Sequence, residues 1–178
     1  MINDYEATTP TTDDGFSTDR EDNDDVISTL NGLIETCRDG QQGFKEAAEG
    51  VERSDLKTMF YEFSQQRAEF VGVLHGLVRS LGGDPETEGS FSGALHRGWI
   101  DIKSAVTGRD EQAILNECER GEDSAKDAYM DALKLNLPDN IADVIRQQSQ
   151  AVQAAHNRIK EMRDTGTGSH RTASPGTF

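Results

Sequence analysis

A carboxylate–histidine set lies in the second half of the chain. Glu119 and Glu122 are three residues apart, and Gln153 and His156 repeat that spacing. Residues three apart share one face of a helix, and helical bundles hold two metal ions with Glu and Glu-x-x-His ligands. The spacing therefore predicts a divalent metal ion, such as iron or manganese, at Glu119, Glu122, Gln153 and His156. Gln153 supplies a neutral amide where the pattern has a carboxylate.

The first half of the chain lacks the matching ligands. Cys37 stands at the level of a ligand Glu, and Gly72 stands three residues after Glu69, where the pattern has His. A complete di-iron centre is therefore not expected. Two readings stay open, since a buried charge must be paired or must bind metal. One is a degenerate or single-metal site; the other is a relic polar layer in which Arg67 neutralises a carboxylate.

Four long helices are needed to position these residues. Apolar residues recur at helical spacing over 26–51, 56–81, 114–133 and 141–162. The first and second of these stretches are joined by a few residues around Ser54, and the third and fourth by Asn136 and Leu137. Such short connections make each pair an antiparallel hairpin. The Gly82-Gly83 pair predicts the end of the second helix.

The link between the two hairpins is long. It runs from Gly83 to Arg109 and contains a one-sided apolar stripe of Leu95, Trp99, Ile102 and Val106. A helix of about 15 residues covers roughly 22 Å, so the link can run the length of the bundle. The predicted fold is all-α: a ferritin-like four-helix bundle of two antiparallel hairpins with a long crossover containing a short fifth helix. Trp99 is expected to anchor that helix on the bundle.

Several motifs carry a resemblance to a known family. They are GALHRGW at 93–99, Thr107-Gly108, ERGED at 119–123, Leu137-Pro138 and the neighbourhood of His156. Residues 26–164 thereby resemble an uncharacterised bacterial family of ferritin-like four-helix bundles. The resemblance implies the bundle architecture and gives no reaction.

Composition bounds the domain and its partners. The 178 residues carry a formal charge of −15, and both ends are poor in apolar residues. We expect a disordered acidic tail at 1–22, the bundle at 23–165 and a second disordered tail at 166–178. An acidic surface disfavours nucleic acid and anionic membranes, no membrane span is predicted, and the N-terminus lacks signal-peptide features. The sequence therefore predicts a cytoplasmic protein.

Two classes of function remain. The first is a metal-binding or iron-handling protein, acting in oxidative or general stress. The second is a non-catalytic structural or interaction module, with a homodimer or an unidentified protein partner. No nucleophile–base signature or phosphate loop indicates an enzyme, and the distant Cys37 and Cys118 are expected to be buried free thiols.

Overall fold

The computed structural model of the chain describes residues 15–85 and 101–168, with side chains over 23–85 and 101–165. Within these ranges the chain forms five α-helices and no strand. They are α1 (Gly15–Gly50), α2 (Ser54–Ser80), α3 (Ile102–Gly108), α4 (Glu111–Ala132) and α5 (Asp139–Gly168). The prediction of an all-α bundle is confirmed.

Contacts between distant residues give the helix directions. Near one end of the bundle, Asn31 of α1 donates a hydrogen bond to the carbonyl of Asp84, just after α2. At the other end, Glu111 at the start of α4 accepts hydrogen bonds from the backbone N–H groups of Glu52 and Arg53, just after α1. Helix α2 is thus antiparallel to α1, and α4 begins at the end opposite to that where α2 finishes.

Local signals in the sequence explain where the helices begin and end. Asp110 caps α4, because its side chain accepts hydrogen bonds from the N–H groups of Gln112 and Ala113. Helix α2 ends before Gly82, which has a φ of 80°, and the N–H of Gly83 bonds to the carbonyl of Val78. This is a Schellman motif, and it ends α2 where the two glycines predict an end.

Two apolar clusters fill the bundle, one toward each end. The first is built around Leu30, Leu74 and Ile145, and the second around Phe44, Phe60 and Ile114. On every long helix the boundary between the two clusters lies at the same level along the bundle. It falls between Cys37 and Phe44 on α1 and between Cys118 and Ala125 on α4. Arg67 and Glu122 lie at that level. The core is therefore apolar at both ends and polar in the middle.

Some boundaries differ from the sequence prediction, and some predictions fall outside the described residues. Helix α1 begins at Gly15, before the predicted start of the bundle at residue 23. Ile102 of α3 is buried, whereas Leu95, Trp99 and most of both predicted tails lie outside the described residues. Over the described part of the chain, every helix is too short or too polar to cross a bilayer.

Candidate functional site

The middle of the core contains a buried ion pair. A guanidinium nitrogen of Arg67 on α2 lies 2.6 Å from a carboxylate oxygen of Glu122 on α4, and both side chains are 1% exposed. The pair joins the two hairpins across the centre of the bundle. Glu122 therefore lies in the interior, as its position between Cys118 and Ala125 predicts, and Arg67 neutralises it.

The site around Arg67 is shaped for a long cationic side chain. Its guanidinium carbon lies 5.7 Å from the ring centre of Phe44 and 5.5 Å from that of Phe70, within cation–π range. Arg67 also donates a hydrogen bond of 2.6 Å to the amide oxygen of Gln66. Gly40 on α1 leaves room for it, because a Cβ there would lie 3.4 Å from the Arg67 side chain. A small residue, two aromatic rings and one carboxylate together accommodate the buried cation.

Two atoms of the pair have no hydrogen-bond partner among the described residues, namely Nε of Arg67 and one carboxylate oxygen of Glu122. Burial raises the pKa of Glu122 above its ordinary value, and the charge and hydrogen bond of Arg67 offset that rise in part. Burial therefore makes the ionised form of Glu122 less stable than it would be in water, and the positive charge of Arg67 reduces that free-energy cost.

A second polar chain crosses the core beside the ion pair. The Tyr129 hydroxyl donates a hydrogen bond of 2.8 Å to the amide oxygen of Gln148 on α5, and it lies 3.1 Å from the Cys37 sulfur on α1. Burial raises the pKa of Cys37 to about 11 and that of Cys118 well above its usual range. Both cysteines are free and buried, as predicted, and both are protonated at neutral pH. Neither is therefore a ready nucleophile.

The remaining predicted ligands lie at the boundary between α4 and α5. Glu119 is 12% exposed and forms an ion pair with Arg163. The ring nitrogen Nε2 of His156 lies 3.0 Å from a carboxylate oxygen of Asp123 and 3.9 Å from one of Glu119. Glu119 and His156 are thus neighbours, as their distances from the hairpin turn predict. Glu122, however, pairs with Arg67 instead of joining them.

Gln153 stands apart from this group. It is exposed, and its amide donates a hydrogen bond of 2.9 Å to Asn157 on the same helix. Val152 and Ala155 take the core-facing positions of that turn. The structure therefore brings together Glu119 and His156, places Glu122 beside them in the core, and turns Gln153 to solvent.

As they stand, these residues do not fit a metal ion. The guanidinium of Arg67 is on Glu122, Arg163 is on Glu119, and Gln153 points away. Over residues 23–85 and 101–165, no group of three or more His, Cys, Asp or Glu side chains is arranged to hold one. The metal hypothesis for Glu119, Glu122, Gln153 and His156 stays a prediction that this geometry does not favour.

Sequence reasoning missed some members of the polar layer. It gave no role to Gln148, which is 4% exposed, and it did not pair Tyr129 with Cys37. The available signal was Gln148 itself, a polar residue at a core-facing position between Ile145 and Val152. It also missed Arg163 and Asp123, whose charges lie on the helix boundary and look like ordinary surface in the sequence.

Comparison with known proteins gives a family and no reaction. A family model described as a domain of unknown function, DUF2383, matches residues 25–135. The match covers most of α1 and all of α2 to α4, and so includes both Arg67 and Glu122, while α5 lies beyond it. No curated protein matches the chain. Because the family model covers more than half of the chain, this protein belongs to the DUF2383 family. The predicted membership of an uncharacterised family is thus confirmed.

Proposed function

We propose that this chain is a non-catalytic structural or interaction module with a ferritin-like helix arrangement, which acts through its surface. The observation that carries the proposal is the ion pair of Arg67 and Glu122, 2.6 Å apart and almost fully buried. It puts a permanent cation where a bundle of this kind would bind metal. The polar layer then serves to align the helices and not to do chemistry.

Electrostatics support this reading. A divalent ion about 4 Å from the Arg67 guanidinium would be repelled by roughly 8 kcal/mol at an effective dielectric constant of about 20. Glu122 offers one carboxylate, which already neutralises Arg67. A cation could bind at full strength only if Arg67 left the core. That movement would also remove its contacts with Phe44 and Phe70.

The other reactive groups of the core support it as well. The buried thiols are protonated at neutral pH, since burial raises the pKa of each. Burial also raises the pKa of Tyr129 far above its usual range, so its hydroxyl stays protonated and engaged with Gln148. Buried and protonated, these groups are ill suited to attack a substrate.

The helix directions support the ferritin-like arrangement. Two antiparallel hairpins, α1–α2 and α4–α5, are joined through residues 84–110, and the two ends of that connection lie at opposite ends of the bundle. A simple up-and-down bundle has no need of so long a connection.

One observation favours a second candidate, a weak metal site in a stress-related protein. His156, Asp123 and Glu119 lie close together at the edge of α4 and α5, with His156 Nε2 3.0 Å and 3.9 Å from the two carboxylates. Imidazole and carboxylates are ligands for iron, manganese and zinc. Arg163 competes for Glu119, and these three described side chains are not arranged to hold an ion as they stand, which makes this the weaker candidate.

Metal analysis separates the two candidates. Protein purified without chelators or an affinity tag should contain well under one equivalent of iron, manganese or zinc. Added Fe²⁺, Mn²⁺ or Zn²⁺ should leave the melting temperature unchanged, because a ligand that does not bind the folded state cannot stabilise it. Stoichiometric metal, or a rise in melting temperature that Glu122→Ala or His156→Ala abolishes, would overturn the structural proposal in favour of the metal site.

A further inference from the structure

One donor and one acceptor of the central ion pair lack a hydrogen-bond partner. Nε of Arg67 and Oε1 of Glu122 form no hydrogen bond within the described part of the chain, although both side chains are 1% exposed. Buried polar groups in folded proteins nearly always have a partner, because bulk water cannot reach them and an unmade hydrogen bond destabilises the fold. One N–H group and one carboxylate oxygen are thus left for something other than these side chains to satisfy.

The two unpaired atoms lie beside the hydrogen bond that the ion pair does form. Nη2 of Arg67 donates to Oε2 of Glu122 over 2.6 Å. The Nε–H and Nη2 groups of a guanidinium share one edge, which can hold both oxygens of a carboxylate as a fork. Only one arm of that fork is made here, and Nη1 donates to Gln66 instead. A donor and an acceptor therefore stand next to each other without being joined.

Gly40 of α1 lies next to the unpaired donor. It is buried, and a Cβ built on it would be 3.6 Å from Nε of Arg67 and 3.4 Å from Cγ. These distances are at the short end of ordinary contact, so the chain could accommodate an alanine methyl group, but that group would take up the space beside Nε. Glycine inside a helix is less favourable than alanine. The glycine is explained if something else needs this space.

The chemistry around this space restricts what can occupy it. An occupant must accept a hydrogen bond from an N–H group, donate one to a carboxylate oxygen and fit beside a glycine. A second cation would be repelled by Arg67, and an anion would be repelled by Glu122. Water has both hydrogen-bonding functions and the required size. Buried water molecules in proteins typically bond to polar groups that the chain leaves unpaired.

We propose that the centre of the bundle is a binding site for one water molecule, which accepts a hydrogen bond from Nε of Arg67 and donates one to Oε1 of Glu122. The water lies in the space that Gly40 leaves, and it completes the second arm of the fork. The inference goes beyond the proposed function. Its test observes the Nε–H group of Arg67, whereas the test of the proposed function measures bound metal, so each can fail while the other succeeds.

Nuclear magnetic resonance of the isotope-labelled full chain tests the site directly. The Nε–H signal of Arg67, assigned by through-bond experiments, should show a rotating-frame Overhauser cross-peak to water, with the sign of a through-space contact and not of chemical exchange. Tyr129→Phe is the control, because the hydroxyl of Tyr129 in the same layer could relay magnetisation. The cross-peak should survive that substitution. A signal without the cross-peak, as expected if Glu122 binds Nε–H directly, or a cross-peak lost in Tyr129→Phe, would overturn the proposal.

Urea unfolding tests the space beside Nε. Gly40→Ala should lower the folding equilibrium constant about tenfold, because it displaces the water and leaves two buried polar atoms unpaired. Gly72→Ala is the matched control, since a Cβ on that glycine would meet nothing within 4 Å. It should raise the constant about fourfold, through helix propensity alone. If Gly40→Ala raises the constant as Gly72→Ala does, no water is displaced and the proposal is wrong.

A background without Nε separates displaced water from steric strain. Arg67→Met keeps a heavy atom at each of the positions of Cγ, Cδ and Nε, but its side chain donates no hydrogen bond. Any steric clash with a methyl group at position 40 is therefore kept, whereas the reason for binding water is removed. In the Arg67→Met background, Gly40→Ala should no longer lower the folding equilibrium constant. A tenfold loss that persists there would overturn the placement of the water beside Gly40.

Discussion

Two carboxylates of α4, one turn apart, have opposite surroundings. Glu122 is in the centre of the core, 1% exposed, and its partner Arg67 belongs to the other hairpin. Glu119 lies at the edge of the α4–α5 boundary, and its partners Arg163 and His156 belong to its own hairpin. The first carboxylate joins the two halves of the bundle, whereas the second strengthens one half. Three residues turn a helix by about 300°, so the two carboxylates point in directions about 60° apart, and one has a structural role and the other a peripheral one.

The largest effect should come from removing the inner carboxylate. Glu122→Leu leaves the Arg67 guanidinium buried without its carboxylate, which should lower the free energy of unfolding by about 3–5 kcal/mol. Arg67→Met should cost less, because Glu122 can take up a proton and its pKa is already raised by burial. Urea unfolding measures both. Equal losses, or a larger loss for Arg67→Met, would contradict this asymmetry.

Tyr129→Phe should have the next largest effect. It removes the hydroxyl between Cys37 and Gln148 and leaves the buried Gln148 amide oxygen without its donor. The expected loss is about 1–3 kcal/mol in the free energy of unfolding. Tyr61→Phe is the matched control, because its ring is 45% exposed and its hydroxyl reaches water, so it should change stability by less than about 0.5 kcal/mol. Similar losses for both would show that the Tyr129 chain contributes nothing.

A smaller, graded effect should follow pH. Because burial raises the pKa of Glu122 in the folded state above its ordinary value of 4.5, the folded chain binds a proton there more readily than the unfolded chain. This contribution to stability is present below the unfolded pKa and is lost as pH rises through the folded pKa. Glu122→Gln cannot titrate, and its amide oxygen can still accept from Arg67. The stability of the wild type relative to Glu122→Gln should therefore fall as the pH rises above about 4.5, and a rise in stability would mean that Arg67 outweighs burial.

The smallest effect sharpens the comparison of the two carboxylates. Glu119→Leu is the same substitution as Glu122→Leu, made one turn away. It should cost less than about 1 kcal/mol, because Arg163 and Asp123 are 28% and 56% exposed and can turn to water. Thermal unfolding of the two variants side by side checks this. A loss as large as that of Glu122→Leu would place Glu119 within the same central layer.

The helices and the inner half of the site could be read from the sequence. Asp110 and Gly82 mark helix ends by local hydrogen bonding and backbone conformation, and Glu122 interrupts an apolar seam between Cys118 and Ala125. Arg67 interrupts the facing seam, which made it a candidate counter-ion. These are short-range patterns, and the structure follows them.

The outer half of the site, at the boundary between α4 and α5, could not be predicted from the sequence in the same way. Equal distances from a hairpin turn place Gln153 and Glu119 at similar levels along the bundle, but they do not fix the direction around each helix axis. Three residues turn a helix by about 300°, so with His156 at the edge, Gln153 turns to solvent. The choice between metal and arginine as partner of Glu122 likewise depends on side-chain contacts across some 55 residues of chain, and no local pattern encodes those.

The central ion pair also has a kinetic consequence. Each hairpin joins neighbouring segments, whereas Arg67–Glu122 and Cys37–Tyr129 link residues 55 and 92 positions apart. Such contacts form late, when the two preformed hairpins dock, because closing a loop between residues far apart in the sequence is slow. At that moment both charges lose their water, so desolvation adds to the barrier of the docking step. A chain with Met at 67 and Leu at 122 should therefore refold faster than the wild type, even though each change alone destabilises the bundle.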